Sequence, residues 1–232
     1  MDYKIIETGS HGNAVILNNC ILIDCGVPFC KIKEYYKKLK IVFLTHIHSD
    51  HFKKATIKKL ALERPTIRFA CCEWLLEPLV ECGVRKSKID ILHPGQRYDY
   101  KSFFVSPIKL YHDVPNCGYR FLVNGEKAIY ATDTAHLDGI SAKNYDLYML
   151  EANYGEDELK QRIEEKKMAG EYSYEMFLTL RHMSKEYASN WLMENMGEKS
   201  QYVFLHMHKD KKNETVEIED GQEPSVPNTC TG

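Results

Sequence analysis

Short apolar runs rich in β-branched and aromatic residues punctuate the chain, at Ala14 to Leu17, Cys20 to Ile23, Ile41 to Leu44, Phe103 to Leu110, Ala128 to Tyr130, Leu147 to Leu150 and Tyr202 to Leu205. Runs of this length and makeup, bounded by turn residues, predict strands. Between them, apolar residues at helical spacing predict helices over Phe29 to Leu39, Lys53 to Leu62, Glu73 to Cys82, Glu156 to Met168 and Ser184 to Met196. Hairpin-like strands precede any helix in the first half. A purely doubly wound sheet therefore fits poorly, and mixed sheets with helices packed outside are preferred. From Lys209 onward apolar residues become sparse, which predicts a polar, mobile tail over 209–232 behind a single domain over 1–208.

Composition changes this picture little. A chain of 232 residues is long enough to bury one substantial core. The formal net charge of −2 hides Lys-rich runs at Lys31 to Lys40, Lys53 to Lys59 and Lys209 to Lys212. Each run reads first as solvated surface, though together they leave room for a basic face. The first residues hold no basic segment followed by a long apolar one, and no apolar run approaches the eighteen residues of a membrane span. A soluble, unexported, cytoplasmic protein without a membrane partner is expected. Eight cysteines without CxxC spacing read as buried thiols of a reducing compartment rather than a zinc ribbon.

Candidate chemistry is concentrated in Thr45-His46-Ile47-His48-Ser49-Asp50-His51, directly after the strand Ile41 to Leu44 and before a helix. In extended backbone His46 and His48 project to the same side, because side chains alternate with period two, and a turn after them can aim Asp50 and His51 at a second ion. A single loop histidine is ordinarily a surface or capping residue. Four ligand-type residues within six positions point instead to two neighbouring metals. Further ligands stand where predicted strands end: His112 after Phe103 to Tyr111, Asp133 after Ala128 to Ala131, and His206 after Tyr202 to Leu205. Asp24, after Cys20 to Ile23, is a fifth such position, readable also as a plain turn residue.

In order and spacing, Asp24, His46, His48, Asp50, His51, His112, Asp133 and His206 match the five motifs of the metallo-β-lactamase superfamily, which the chain resembles. Within it the chain looks most like the WalJ-type (YycJ-type) exonucleases, a branch related to tRNase Z. Gly9-Ser10-His11-Gly12-Asn13 resembles their GSSGN, Leu150-Glu151-Ala152-Asn153 their LEAN or LESN, and Arg181-His182-Met183-Ser184 their GHLS. The resemblance implies an α/β fold, a four-layer αββα sandwich of two mixed β-sheets flanked by helices. It implies two divalent ions, zinc or manganese, with His46, His48 and His112 on one, Asp50, His51 and His206 on the other, and Asp133 bridging. Asp24 would orient a ligand imidazole.

The same resemblance places Asp50, His182 and Glu151 in the catalytic group. A histidine that is not a ligand can bind a phosphate oxygen or protonate a leaving alkoxide, and a carboxylate beside it raises its pKa for that work. The plainer alternative is that Ser184 caps a helix and His182 is loop. Departures from the pattern are His11 in place of a small residue, Tyr154 in place of a histidine, and His208 in place of a serine. His208 is an alternative last ligand, although the end of the apolar strand favours His206. His93 and His136 have no motif around them; His93 reads as surface, and His136 could line the cleft.

Two neighbouring ions lower the pKa of a shared water and meet developing negative charge, which suits phosphodiesters and activated acyl groups alike. Asp133 stands where lactam-cleaving relatives carry a cysteine, and Tyr111-His112-Asp113-Val114-Pro115 lacks the GHTxG of glyoxalase II thioesterases. A dinuclear-metal phosphodiesterase, specifically a DNA exonuclease, is therefore the reading, with a nucleic acid or nucleotide as partner and a homodimer as an option among relatives. Cleavage of cyclic nucleotides, as by phage-encoded relatives that destroy defence signals, is the main rival. A thioesterase or lactonase, or a non-catalytic binding module stabilised by metal, stands behind it. Segment 155–174 could be a lid, a dimer arm or a substrate-contacting helix.

Overall fold

A computed structural model describes residues 1–207, so His208 and the expected tail lie outside the described residues. The first half of the chain builds one six-stranded sheet from β1 (Tyr3–Glu7), β2 (Ala14–Leu17), β3 (Ile21–Ile23), β4 (Ile41–Phe43), β5 (Arg68–Cys71) and β6 (Ile89–Ile91), in that spatial order. Its first three strands are antiparallel neighbours, and β3 to β6 are parallel. The second half builds another from β7 (Tyr98–Asp99), β8 (Phe103–Leu110), β9 (Asn116–Val123), β10 (Glu126–Ala131), β11 (Leu147–Glu151) and β12 (Gln201–Leu205), ordered β12-β11-β10-β9-β8-β7. Antiparallel β9 separates β8 from β10, while β10, β11 and β12 run parallel. Consequently β8, β10, β11 and β12 all point the same way, and their C-terminal ends meet one edge of the sheet.

The helices are α1 (Phe29–Ile32), α2 (Lys54–Glu63), α3 (Leu76–Glu81), α4 (Glu156–Met168) and α5 (Lys185–Asn195), with 3₁₀ turns at Glu73–Leu75, Lys86–Lys88 and Tyr174–Leu180. Three apolar cores separate four layers. Val42 and Leu44 face Ile57, Leu60, Leu75 and Leu79 of the first helical layer. Ile41 and Phe43 face the second sheet, where Tyr119, Phe121 and Tyr130 pack against them. In the second sheet Ile129, Ala131, Tyr148 and Leu150 turn outward onto Met183, Trp191 and Leu192. Central strands buried on both faces explain why their sequences are continuous apolar runs instead of alternating ones. The expected αββα sandwich of mixed sheets is the fold observed.

Several elements differ from the sequence reading. The helix expected over Phe29 to Leu39 stops at Ile32, and residues 33–38 continue as turns. Lys33 and Lys37 would stand as like charges one helical turn apart, which weakens the second half of such a helix. The segment Glu73 to Cys82 starts as a 3₁₀ turn before α3. Strands β1, β5, β6, β7 and β9 add to those read from apolar runs; β9 carries Asn116, Gly118 and Arg120, and β7 has only two residues. Cys25, Cys71, Cys72, Cys82 and Cys117 are buried as expected, but Cys20 is intermediate and Cys30 exposed. Among the described residues no helix is long and apolar enough to cross a membrane.

Candidate metal centre

Because the strands are parallel where it matters, the residues that follow them collect at one rim. Asp24 follows β3, the segment His46 to His51 follows β4, His112 follows β8, Asp133 follows β10, Glu151 ends β11 and His206 follows β12. Asp24, Asp133 and His206 each leave the strand with positive φ, at 58°, 56° and 52°. This left-handed kink turns the chain sharply out of the sheet and sits in a sparsely populated backbone region for residues other than glycine. The loop after β4 is pressed against the segments before β2 and after β3: Asn13 N–H and Cys25 N–H donate to the carbonyls of Asp50 (2.6 Å) and His51 (2.9 Å). A Cβ on Gly26 would lie 1.7 Å from the Asp50 carbonyl oxygen, so only glycine permits that approach.

Ligand atoms of His46, His48 and His112 lie within 4.8 Å of one another, and so do those of Asp50, His51 and His206. Asp133 reaches toward both sets, with Oδ2 3.0 Å from His51 Nε2 and Oδ1 3.9 Å from His112 Nε2. It also groups with His46 and His51, and with Glu151, His182 and His206. Asp24, fully buried, accepts from His51 Nδ1 at 2.7 Å, from the Thr45 N–H and hydroxyl, and from the Tyr130 hydroxyl at 3.1 Å. That bond fixes the His51 ring and leaves Nε2 turned toward the cluster.

Whether this arrangement suits metal can be judged from its unsatisfied atoms. Buried His46 Nε2 has no hydrogen-bond partner, and buried Asp133 Oδ2 meets His51 Nε2 in distance without hydrogen-bond alignment. Buried polar atoms are rarely left so, and a cation is one of the few groups that satisfies both an imidazole nitrogen and a carboxylate oxygen. The donor set of imidazoles and carboxylates, without thiolate, accepts zinc, manganese or iron. His46, His48, His112, Asp50, His51, His206 and Asp133 therefore fit a divalent-metal centre.

The electrostatics follow from burial and crowding. Burial, reinforced by the neighbouring His51, holds the His46 pKa well below the ordinary histidine range, which leaves the unpartnered Nε2 available to a cation. Burial also lowers His112. His51 goes the other way: desolvation would lower it, but Asp133 and Asp24 outweigh that and raise it well above its usual value. Asp133 is resisted by burial and held well below the carboxylate range by His51 and His206. A cation held there would compete with protons for the same nitrogens.

His182 and Glu151 form a separate pair beside the cluster. Glu151 is fully buried; its Oε1 meets His182 Nδ1 at 2.5 Å, and its Oε2 accepts from the N–H of Thr134 (3.1 Å) and of Met183 (3.2 Å). Desolvation opposes the His182 charge, but the bonded Glu151 carboxylate prevails, with help from Asp133 and Asp113, and the pKa is raised. The His182 ring stacks on that of His206 with centroids 5.3 Å apart. Ser184 does cap α5, accepting from Tyr187 N–H at 3.0 Å, so the helix cap and the His182–Glu151 pair coexist.

A family model described as the β-lactamase superfamily domain matches residues 19–207, most of the chain. The chain belongs to the β-lactamase superfamily. Its fold is the metallo-β-lactamase fold, as three solved structures illustrate. YhfI from Bacillus subtilis, a metallo-β-lactamase fold protein, is 19% identical with a TM-score of 0.68, covering 90% of this chain and 86% of its own. The short form of human tRNase Z is 16% identical with a TM-score of 0.64 and coverages of 89% and 93%. Zinc-bound PqqB from Methylobacterium extorquens is 11% identical with a TM-score of 0.63, covering 89% of each chain. No curated protein matches. Membership makes the chain a metallo-β-lactamase superfamily hydrolase carrying candidate metal ligands.

On this superfamily rim the structure adds residues that spacing did not single out. Asn13, from Gly9-Ser10-His11-Gly12-Asn13, places its amide nitrogen 2.8 Å from His51 Nε2 and 3.4 Å from His206 Nδ1, although it lies 193 residues from the latter. His11 itself is exposed. Asp113 sets Oδ1 3.1 Å from His112 Nε2 and Oδ2 3.1 Å from Arg181 Nη1, while the Arg181 carbonyl lies 3.0 Å from His112 Nδ1. The pentapeptide around His112 and the GHLS-like stretch were the only signals for these two.

Proposed function

We propose that the chain hydrolyses a phosphodiester of a nucleic acid or nucleotide, with a DNA exonuclease of WalJ-like type as the specific reading. The observation that carries it is the His182–Glu151 pair. A buried carboxylate on Nδ1 raises the pKa of His182 and leaves Nε2 as its remaining ring nitrogen. Protonation matters because a departing alkoxide requires a proton, whereas a thiolate does not. Divalent cations, when held by the two triads, would supply charge neutralisation and a water acidified toward neutral pH. The chain's own residues divide the remaining work: His182 donates a proton to the leaving oxygen, Glu151 holds His182 in place, and Asp50 and Asp133 set the acidic side of the rim. Further support comes from the GSHGN, LEAN and RHMS segments, and from the likeness in fold to a tRNase.

The test is product formation by manganese- or zinc-loaded protein on end-labelled double-stranded DNA and on cyclic nucleotides side by side. Progressive release of mononucleotides is expected. Opening of a cyclic nucleotide alone would replace the exonuclease by a signal-degrading enzyme, and inactivity on both would return the search to thioesters and lactones. His182→Ala should keep its metal and lose roughly a hundredfold or more in rate. Loss of an ion from that variant would make His182 a ligand and overturn its assignment as the acid.

A further inference from the structure

Beside the metal rim, and sharing His112 with it, lies a cleft of about 670 Å³ bounded by Lys109 to Pro115, Ala135, His136 and Leu180. Its floor is an aromatic pair: Tyr111 and His136 stack with centroids 4.3 Å apart and planes at 23°. Both rings sit on backbone that is tied together. Tyr111 N–H donates to Thr134 Oγ1 (2.9 Å), the same hydroxyl donates to the His136 carbonyl (2.9 Å), and Ala135 N–H donates to the Tyr111 carbonyl (2.8 Å). Thr134 is the residue after Asp133, and its N–H is held by Glu151. One loop therefore fixes the aromatic shelf and the metal-facing carboxylate relative to each other. Tyr111 remains 42% exposed in spite of the stack, and Leu180 is 67% exposed across the cleft lining. Lys109 Nζ lies 5.6 Å from the Tyr111 ring centroid.

A rigid, solvent-facing aromatic pair with an apolar residue nearby and a cation at its side is the chemistry that holds a flat heteroaromatic group next to an anion. Tyr111 immediately precedes His112, so a group on the shelf and a phosphate at the rim can belong to one nucleotide. We propose that this cleft is a nucleobase subsite, in which a base of the substrate stacks on Tyr111–His136 while its phosphodiester lies against the metal rim. The proposal rests on the phosphodiesterase reading above and narrows it to substrates that carry a base, excluding base-free phosphodiesters as preferred substrates.

The experiment compares thymidine 5′-(p-nitrophenyl) phosphate with methyl p-nitrophenyl phosphate, using the zinc-loaded full chain, Tyr111→Leu and His136→Ala. The unaltered protein should prefer the thymidine ester, and each variant should lose on the order of tenfold of that preference, mainly through KM, the size expected of one lost stack. His136→Ala is the second variant because Tyr111 adjoins a candidate ligand. Independently of turnover, thymidine 5′-monophosphate titrated with zinc-loaded protein should show its base proton resonances moved upfield by the aromatic rings, and the shift should shrink in both variants. Unchanged preference in both variants together with no upfield shift overturns the subsite and leaves hydrolysis standing. If the unaltered protein cleaves neither ester, the phosphodiesterase reading falls, and the resonance shift alone decides whether a base binds at the shelf.

Discussion

The two candidate ligand triads share one rim yet are held differently. Around His51 everything is interior: its side chain is 0% exposed, Asp24 grips Nδ1, and the Asn13 amide lies against Nε2. His206 is tied through its backbone, donating to Thr8 Oγ1 (2.7 Å) and accepting from Asn153 Nδ2 (2.9 Å). The His48 side chain, by contrast, is 37% exposed, and His112 is steadied by the Arg181 carbonyl and by Asp113, both near the surface. One half of the rim is therefore positioned by the penalty for leaving buried polar groups unpaired, which is steep. In the other, His46 is fully buried and the His112 side chain is 2% exposed, but His48 and the partners of His112 lie toward the surface, where contacts adjust at little cost.

Asp133 belongs to neither half, and replacing it removes the contrast altogether. Asp133→Ala should abolish turnover and lower bound metal in both triads, checked by elemental analysis beside the hydrolysis assay; a variant with its full metal complement would take Asp133 out of the ligand set. The contrast itself is sharpened by the two supporting carboxylates. Asp24→Asn should weaken metal affinity by about 10- to 100-fold, and Asp113→Asn by less than about tenfold, in competition with a chromophoric chelator. In urea unfolding of metal-free protein, Asp24→Ala should cost roughly 3 kcal/mol or more, because the Thr45, His51 and Tyr130 donors lose a buried acceptor. The corresponding Asp113→Ala should stay within about 1 kcal/mol. Equal losses would mean that the open half is as rigid as the buried one.

The smallest effect is expected beyond the open half, where the 3₁₀ turn Tyr174–Leu180 follows α4. A hydrogen bond from Lys166 holds the Glu175 carboxyl down at about 2, against its usual 4.5. A depressed folded value means that the clasp contributes fully above pH 4.5 and is lost as pH falls through about 2. As a surface pair it contributes at most about 1 kcal/mol. Glu175→Gln should accordingly lower the thermal midpoint by no more than about 3 °C at neutral pH, with the difference from the unaltered chain vanishing as the pH approaches 2.

Much of the rim could be read from the sequence because its logic is local. Apolar runs announce strands buried on both faces, and a ligand-type residue just after such a run lands at the sheet edge. The HxHxDH segment does the same for β4 and names its own neighbours. Asp113, Arg181 and the Tyr111–His136 shelf could not be read this way. Their contacts join residues such as His112 and Arg181, 69 apart in the chain, or depend on β8 and β10 lying in register across β9, a strand whose Asn116, Gly118 and Arg120 interrupt its apolar pattern. Asn13 stood in a visible motif, but nothing in that motif says its amide will lie between His51 and His206. The overextended first helix shows the converse: apolar spacing continued to Leu39 while like charges cut the helix short.

Between β6 and β7 the backbone leaves one sheet for the other, and every strand of each sheet comes from one side of that passage. Asp24 and the segment His46 to His51 thus belong to the first half of the polypeptide, whereas His112, Asp133, Glu151, His182 and His206 belong to the second. Each triad draws on both. In polymer language, an ion held in either triad is a cross-link that closes a long loop through the exposed residues 93–97, and the entropy of that closure is already settled by the packed sheets. An ion in the candidate centre would therefore be a rivet between two halves of the architecture, joining the ligand-bearing loops of both sheets.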